Sequence, residues 1–333
     1  MISNQILSKL LIQFMPKQTS SSFKYQHDEA FVLEGGGTLQ NLTIRYTTIG
    51  SLDDEKSNVV WVFHALTGNS EPVEWWSGLF GEGRFFDPSK YFIICANMIG
   101  SCYGSTEPVD FEFPLITIRD QVRAFKQLKE HLGIPKVHIG IGGSMGGQQL
   151  LQWAVQDPEL FEIIIPIATN AVHSPWGIAF NETQRMAIEL DPEKGIETAR
   201  AIAMLSYRHY TTYENTQSDT DARIDKYSAS SYQQYQGQKL SKRFSPFSYY
   251  TLSKAMDSHN IGKDVEVEIA LQQIQAKAIV IGIDSDILFP LHEQELLAKS
   301  IRDSAFFSVS SNYGHDGFLV ETAQISRILE NQL

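Results

Sequence analysis

"VHIGIGGSMGGQQLLQWA" (residues 137–154) runs an apolar segment into a helix start, with Gly142, Gly143, Gly146 and Gly147 flanking Ser144. Glycine is a poor helix former, so four of them beside a helix start need a reason. Gly142, Ser144 and Gly146 fit G-x-S-x-G in the strand–turn–helix context that gives the motif its meaning. At such a turn the serine takes a strained backbone conformation, and its close neighbours must lack side chains. The helix N-terminus then supplies free N–H groups and partial positive charge near the hydroxyl. The spacing fits neither G-x-G-x-x-G nor a phosphate loop with its lysine. Ser144 is the candidate nucleophile.

Outward from this turn, "VVWVF" (59–63), "YFIICA" (91–96), "VHIGI" (137–141), "IIIPIA" (163–168) and "AIVIGI" (278–283) read as buried strands. They are nearly continuous in apolar residues, as parallel strands covered on both faces are. "TIRDQVRAFKQLKEHLG" (117–133) reads as a helix opened by a Thr117/Asp120 capping box and stopped at Gly133. Strand–helix alternation predicts an α/β fold with a doubly wound, mostly parallel sheet. The alternation stops near residue 171. From there to about 262 the periods are helical, which predicts a helical insertion between two strands. The stretch 212–245 is polar enough, by composition alone, to be a loop.

A nucleophile at this kind of turn needs an acid and then a histidine later in the chain. "DSDILFP" offers Asp284 and Asp286 just past a late strand; Asp286, four before Pro290, is the better placed, with Asp284 the alternative. His315 follows "FFSV" and sits between Gly314 and Gly317, where the backbone can bend to present a ring. In these roles His315 takes the Ser144 proton, and Asp286 fixes its tautomer. Two amides must hold the oxyanion: Met145, next after the nucleophile, and Leu66, in the loop after "VVWVF". His64, at the end of that strand, is expected to shape the loop.

The chain has 333 residues and a formal net charge of −12, which argues against nucleic acid and against anionic lipid as partners. Cys95 and Cys102 are its two cysteines, and no Cys/His spacing resembles a metal site. No apolar run approaches the roughly 20 residues of a membrane span. "MISNQILSKLLIQFM" (1–15) has the apolar spacing of a short amphipathic helix and lacks a basic leader and a cleavage site, so a cytoplasmic protein is expected.

"HALTG", "NMIGSCYGST", "GGSMGGQQLLQWA", "NETQRMAIELDP", "YQGQKLSKRFSPFSYYTLSKAMD", "DSDILFP" and "GHDGFL" together resemble the homoserine O-acetyltransferase family from about residue 28 to the end. The resemblance implies an α/β-hydrolase fold with residues 1–27 as an extension, 28–171 and 263–333 as the core, and 172–262 as a helical lid that includes the polar stretch. It implies Ser144, Asp286 and His315 as the triad. It implies Arg185, in "NETQRMAI", and Asp316 as ligands for the carboxylate and ammonium of an amino acid. Also implied are acetyl-CoA and L-homoserine as substrates, no resident cofactor or metal, a ping-pong acetyl transfer in methionine biosynthesis, and a homodimer.

Two departures from the family pattern stand out. "EKGIETAR" follows Pro192 at once where a longer segment is usual, and Glu107 replaces a glycine in "GSTEP". Alternatives within reach of the same residues are a succinyl donor, a serine acceptor or a carboxylesterase. An inert binding scaffold is disfavoured because the whole triad is present in order.

Overall fold

The computed structural model describes residues 20–333. The amphipathic spacing at residues 2–14 lies outside them. Ten strands occur in chain order among the described residues: β1 (Ser20–His27), β2 (Phe31–Val32), β3 (Thr38–Leu39), β4 (Leu42–Ile49), β5 (Val59–Phe63), β6 (Phe92–Ala96), β7 (Val137–Gly143), β8 (Phe161–Ile167), β9 (Lys277–Ile283) and β10 (Ser304–Val309). Eight form one sheet in the order β1-β4-β6-β5-β7-β8-β9-β10. From β6 to β10 every pairing is parallel; β4 and β1 pair antiparallel at one edge. The five apolar runs are all central parallel strands, as their continuous hydrophobicity demands.

Residues 20–27 correct one expected boundary. They are the edge strand of the sheet, with Phe23 opposite Tyr46 and their rings 5.5 Å apart, rather than an extension ahead of the core. Their polar, largely exposed side chains are those of an edge, which gives no apolar signal.

Helices cover both faces. Alternate residues of β5 divide between the two layers: Val59, Trp61 and Phe63 join one core, Val60 and Val62 the other. On the first side lie α2 (Ile118–His131) and α3 (Met145–Gln156), with Trp153 packed edge-on to Trp61 at 5.1 Å. The Thr117/Asp120 capping box opens α2 as read from the sequence. On the other side lie α1 (Pro72–Trp75), the buried Trp76 and Phe80, and α12 (Thr322–Gln332), which contributes Ile325 and Leu329.

Between β8 and β9 the chain forms α4 (Pro175–Leu190), α5 (Pro192–Tyr207), α6 (Tyr210–Gln217), α7 (Ser228–Ser241) and α8 (Pro246–Asp257). The polar stretch 212–245 is therefore largely helical. The two chains entering and leaving this segment pair at its neck, where His173 N donates to His259 O at 2.9 Å and Ile261 N to Ala171 O at 3.1 Å. The short connection after Leu190 is a direct consequence of Asp191, which ends α4 and caps α5 through its carboxylate. Then α9 (Val267–Gln272) leads back to β9, α10 (Leu291–Ser300) follows it, and a 3-10 turn (Gly314–Asp316) runs into α11 (Gly317–Val320). No helix among the described residues is long and apolar enough to cross a membrane.

Candidate active site

The elbow takes the form its sequence demands. Ser144 has φ 57° and ψ −128°, a left-handed conformation that costs a non-glycine residue about 1–3 kcal/mol. The strain is held from both ends: Ser144 N donates to Ile167 O at 2.9 Å, and its carbonyl accepts from Thr169 Oγ1 at 2.8 Å. A Cβ on Gly146 would lie 2.2 Å from Phe63 O, and one on Gly142 would lie 2.5 Å from the Gly146 backbone. The glycines are there so that β7, β5 and α3 can touch.

His315 Nδ1 and Asp286 Oδ2 are 2.6 Å apart, both buried. The other carboxylate oxygen of Asp286 accepts from the Leu288 and Phe289 amides at 2.8 and 2.9 Å, which fixes the carboxylate plane. Because Asp286 engages Nδ1, Nε2 is the nitrogen left for chemistry. The imidazole is held between rings: Phe289 stacks on it at 5.0 Å, with Phe318 at 5.3 Å and Tyr207 at 5.7 Å. Asp284, the alternative acid, accepts from the Ser311 amide at 3.0 Å and so braces the loop that carries His315. Ser144 and His315 border one cavity of about 150 Å³, together with Leu66, Trp75, Arg200 and Asp316.

Leu66 lines this cavity, and Met145 is the first residue of α3. Among the described residues, neither amide donates to a protein acceptor. Both are thus available to an anion. His64 shapes the loop: its Nε2 accepts from Met98 N at 3.2 Å, so Nδ1 donates to Ala65 O at 2.9 Å. Burial pushes its pKa down to about 4, which keeps the ring neutral.

Arg185 is a correction. It does not border the cavity. Its guanidinium is consumed by Glu182 at 2.7 Å, Asp257 at 2.7 Å and Ser253 at 3.2 Å, because this face of α4 packs on α8. The cavity guanidiniums are Arg200, on α5, and Arg243, in the turn between α7 and α8. Arg200 lies over the Tyr207 ring at 5.2 Å and enters no ion pair among the described residues. Sequence reading missed it because an arginine on a helix is ordinary. The available signal was Tyr207, seven residues on and therefore on the same helix face. Asp316 does border the cavity, and Arg208 Nε lies 3.0 Å from its Oδ2. The Nε–H is not aligned for a hydrogen bond, so the contact is one of charge. Glu107 is exposed and does not line the cavity.

A serine on a strained strand–helix turn, a buried His–Asp pair and two unengaged amides on a mostly parallel sheet define the class: this is the alpha/beta hydrolase fold, whose family model matches residues 58–322. A homoserine O-acetyltransferase of Cyclobacterium marinum is 49% identical over 324 residues, spanning 91% of this chain and 92% of that protein. The crystal structure of homoserine O-acetyltransferase from Staphylococcus aureus aligns with a TM-score of 0.82 at 30% identity, covering 93% of this chain and 95% of that one. An acetylester hydrolase from Corynebacterium glutamicum aligns with a TM-score of 0.84 at 22% identity, covering 93% and 95%, a likeness of fold alone. The chain belongs to the homoserine O-acetyltransferase family.

Proposed function

We propose that the protein moves an acetyl group from acetyl-CoA to the side-chain hydroxyl of L-homoserine in two half-reactions. Ser144 attacks the thioester carbonyl while His315 Nε2 takes its proton. The oxyanion sits between the Leu66 and Met145 amides, and Asp286 stabilises the imidazolium. The tetrahedral intermediate collapses, the carbon–sulfur bond breaks, and the proton leaves with CoA as its thiol. Homoserine then enters. His315 removes the proton of its hydroxyl, the alkoxide attacks acetyl-Ser144, and O-acetyl-L-homoserine departs with Ser144 reprotonated. No resident cofactor or metal is needed for these steps.

The observation that carries the reading is the pairing of reactive and recognition groups in one cavity. Arg200 supplies a guanidinium fork with no carboxylate partner among the described residues, suited to the amino-acid carboxylate, and Asp316 supplies a charge for the ammonium. A plain esterase has no use for such a clamp. Helices α4 to α8 act as the lid that limits water, since water would waste the acetyl-enzyme. The protein works as a homodimer in the cytoplasm.

The test is CoA release measured with and without homoserine. The proposal expects a stoichiometric burst without acceptor and steady turnover with it. Equal turnover in both arms would make the protein a thioesterase. Faster turnover with succinyl-CoA or with serine would replace the donor or the acceptor.

A further inference from the structure

The Leu66 amide can serve an oxyanion only if the Ala65–Leu66 peptide keeps one orientation. The carbonyl of that peptide accepts two hydrogen bonds, from His64 Nδ1 at 2.9 Å and from the Gly68 amide at 2.8 Å. In a trans peptide the N–H and C=O point to opposite sides, so these bonds aim the Leu66 N–H away from His64. One side of the 65–68 turn is thereby anchored in the sheet domain.

The other side is anchored from the helical insertion. Arg243 Nη1 donates to the Thr67 carbonyl and to the Tyr103 hydroxyl, each at 2.8 Å. Both partners are neutral oxygens. The segment around Arg243 is itself gripped by residues 102–103: Ser245 N lies 3.5 Å from Cys102 Sγ, and the Tyr103 and Phe244 rings are 5.8 Å apart. Three distant parts of the chain thus meet at one guanidinium beside the cavity.

We propose that Arg243 is a positioning residue for acyl transfer: it clamps the Thr67 carbonyl and so keeps the Leu66 amide aimed at the oxygen of the carbonyl that Ser144 attacks. The inference rests on the acyl transfer proposed above. It links closure of the helical insertion to completion of the oxyanion site, because the clamp exists only when that segment is in place. Arg243 also lines the cavity, so its charge could act on an anionic substrate instead. The two roles differ in what they demand of the acyl donor. A clamp on the oxyanion turn matters for any acetyl donor, whereas charge recognition matters only for an anionic one.

Single-turnover acetylation of Ser144 is therefore measured with acetyl-CoA and with p-nitrophenyl acetate, a neutral ester. Losing a whole oxyanion donor costs about 10²–10³, so loosening one is expected to slow R243A about tenfold, with both donors and with half-saturating concentrations little changed. Added guanidinium ion restores part of the R243A rate. Y103F, which keeps the Thr67 bond, loses under about threefold by the same reasoning. A loss confined to acetyl-CoA, or no loss, overturns the proposal. If R243A fails to fold by circular dichroism, R243K carries the test. Its ammonium lacks the fork geometry, so a smaller slowing shared by both donors supports the clamp, and a slowing with acetyl-CoA alone, or none, overturns it. Wild-type protein that acetylates Ser144 with neither donor would sink the proposed function itself. Wild-type acetylation matched by R243A would sink only the clamp.

Discussion

Exchange of Asp286 for asparagine changes almost no volume and yet should stop the enzyme. One carboxylate oxygen accepts from the Leu288 and Phe289 amides at 2.8 and 2.9 Å, and the other faces His315 Nδ1 at 2.6 Å. In D286N the amide oxygen stays with the two backbone donors, since an NH₂ group there would meet N–H with N–H. The NH₂ then faces Nδ1 and turns it into an acceptor. The imidazole proton moves to Nε2, the nitrogen that must take the Ser144 proton. A wrong tautomer of this kind costs about 10⁴ in kcat, or about 5.5 kcal/mol at 1.36 kcal/mol per tenfold. The assay is stopped-flow CoA release in the presence of homoserine, with half-saturating homoserine measured beside it. D286N should lose kcat with little change in homoserine KM. D284N, whose side-chain oxygen can keep the Ser311 amide bond, should stay within about tenfold of wild type, because no tautomer depends on it. A D286N enzyme within tenfold of wild type, or a collapse in D284N instead, would refute the assignment.

Four further variants have expected outcomes. R200A should raise the homoserine KM strongly. R185A should leave that KM nearly unchanged but lower stability by about 3 kcal/mol, because it strips Asp257 of its buried partner; kinetics and thermal melts on the two variants decide between them. G146A should destabilise the fold by about 3 kcal/mol or more in urea titration, since its Cβ would overlap Phe63 O at 2.2 Å. Burial pushes Glu293 from 4.5 up to about 7, against the opposing Asn170 hydrogen bond. The folded chain therefore holds this proton more tightly than the unfolded chain, so the group favours folding below pH 4.5 and loses that contribution as pH rises through 7. E293Q should abolish this loss and be more stable than wild type at pH 9 by roughly 1 kcal/mol, after allowance for solvent reaching the carboxyl. Equal melting temperatures at pH 9 would contradict it.

The parts of the molecule legible in the sequence are those where one chemistry has one use. Val59–Phe63 and Lys277–Ile283 are apolar on both faces because both faces are covered, and only a central parallel strand asks for that. Gly142 and Gly146 announce the elbow because a Cβ at either position collides with backbone. The order Ser144, Asp286, His315 follows from the topology that brings the ends of β7, β9 and β10 together. What stayed hidden is of two kinds. Edge strand β1 carries polar, exposed residues on an antiparallel pairing, so it resembles a tail until its partner β4 is in place. Arginines are the other kind. Arg185, Arg200 and Arg208 stand on helices α4 and α5 or just beyond, and nothing local says which faces Asp257, which faces the cavity and which faces Asp316. That choice is made by how α5 folds back on α4 at Asp191, where Gly195 comes within a Cβ's reach of Ala187 O. The Arg243 clamp was likewise unreadable, because its partners lie about 140 and 176 residues away.

The central claim is a covalent one, and mass spectrometry of the intact protein and of its proteolytic peptides tests it most directly. After exposure to acetyl-CoA alone, one acetyl group should be found on the peptide bearing Ser144. It should be absent in S144A, and homoserine should discharge it as O-acetyl-L-homoserine at a rate no slower than turnover. An unmodified Ser144 under these conditions, with product forming only when both substrates are bound together, would contradict the account.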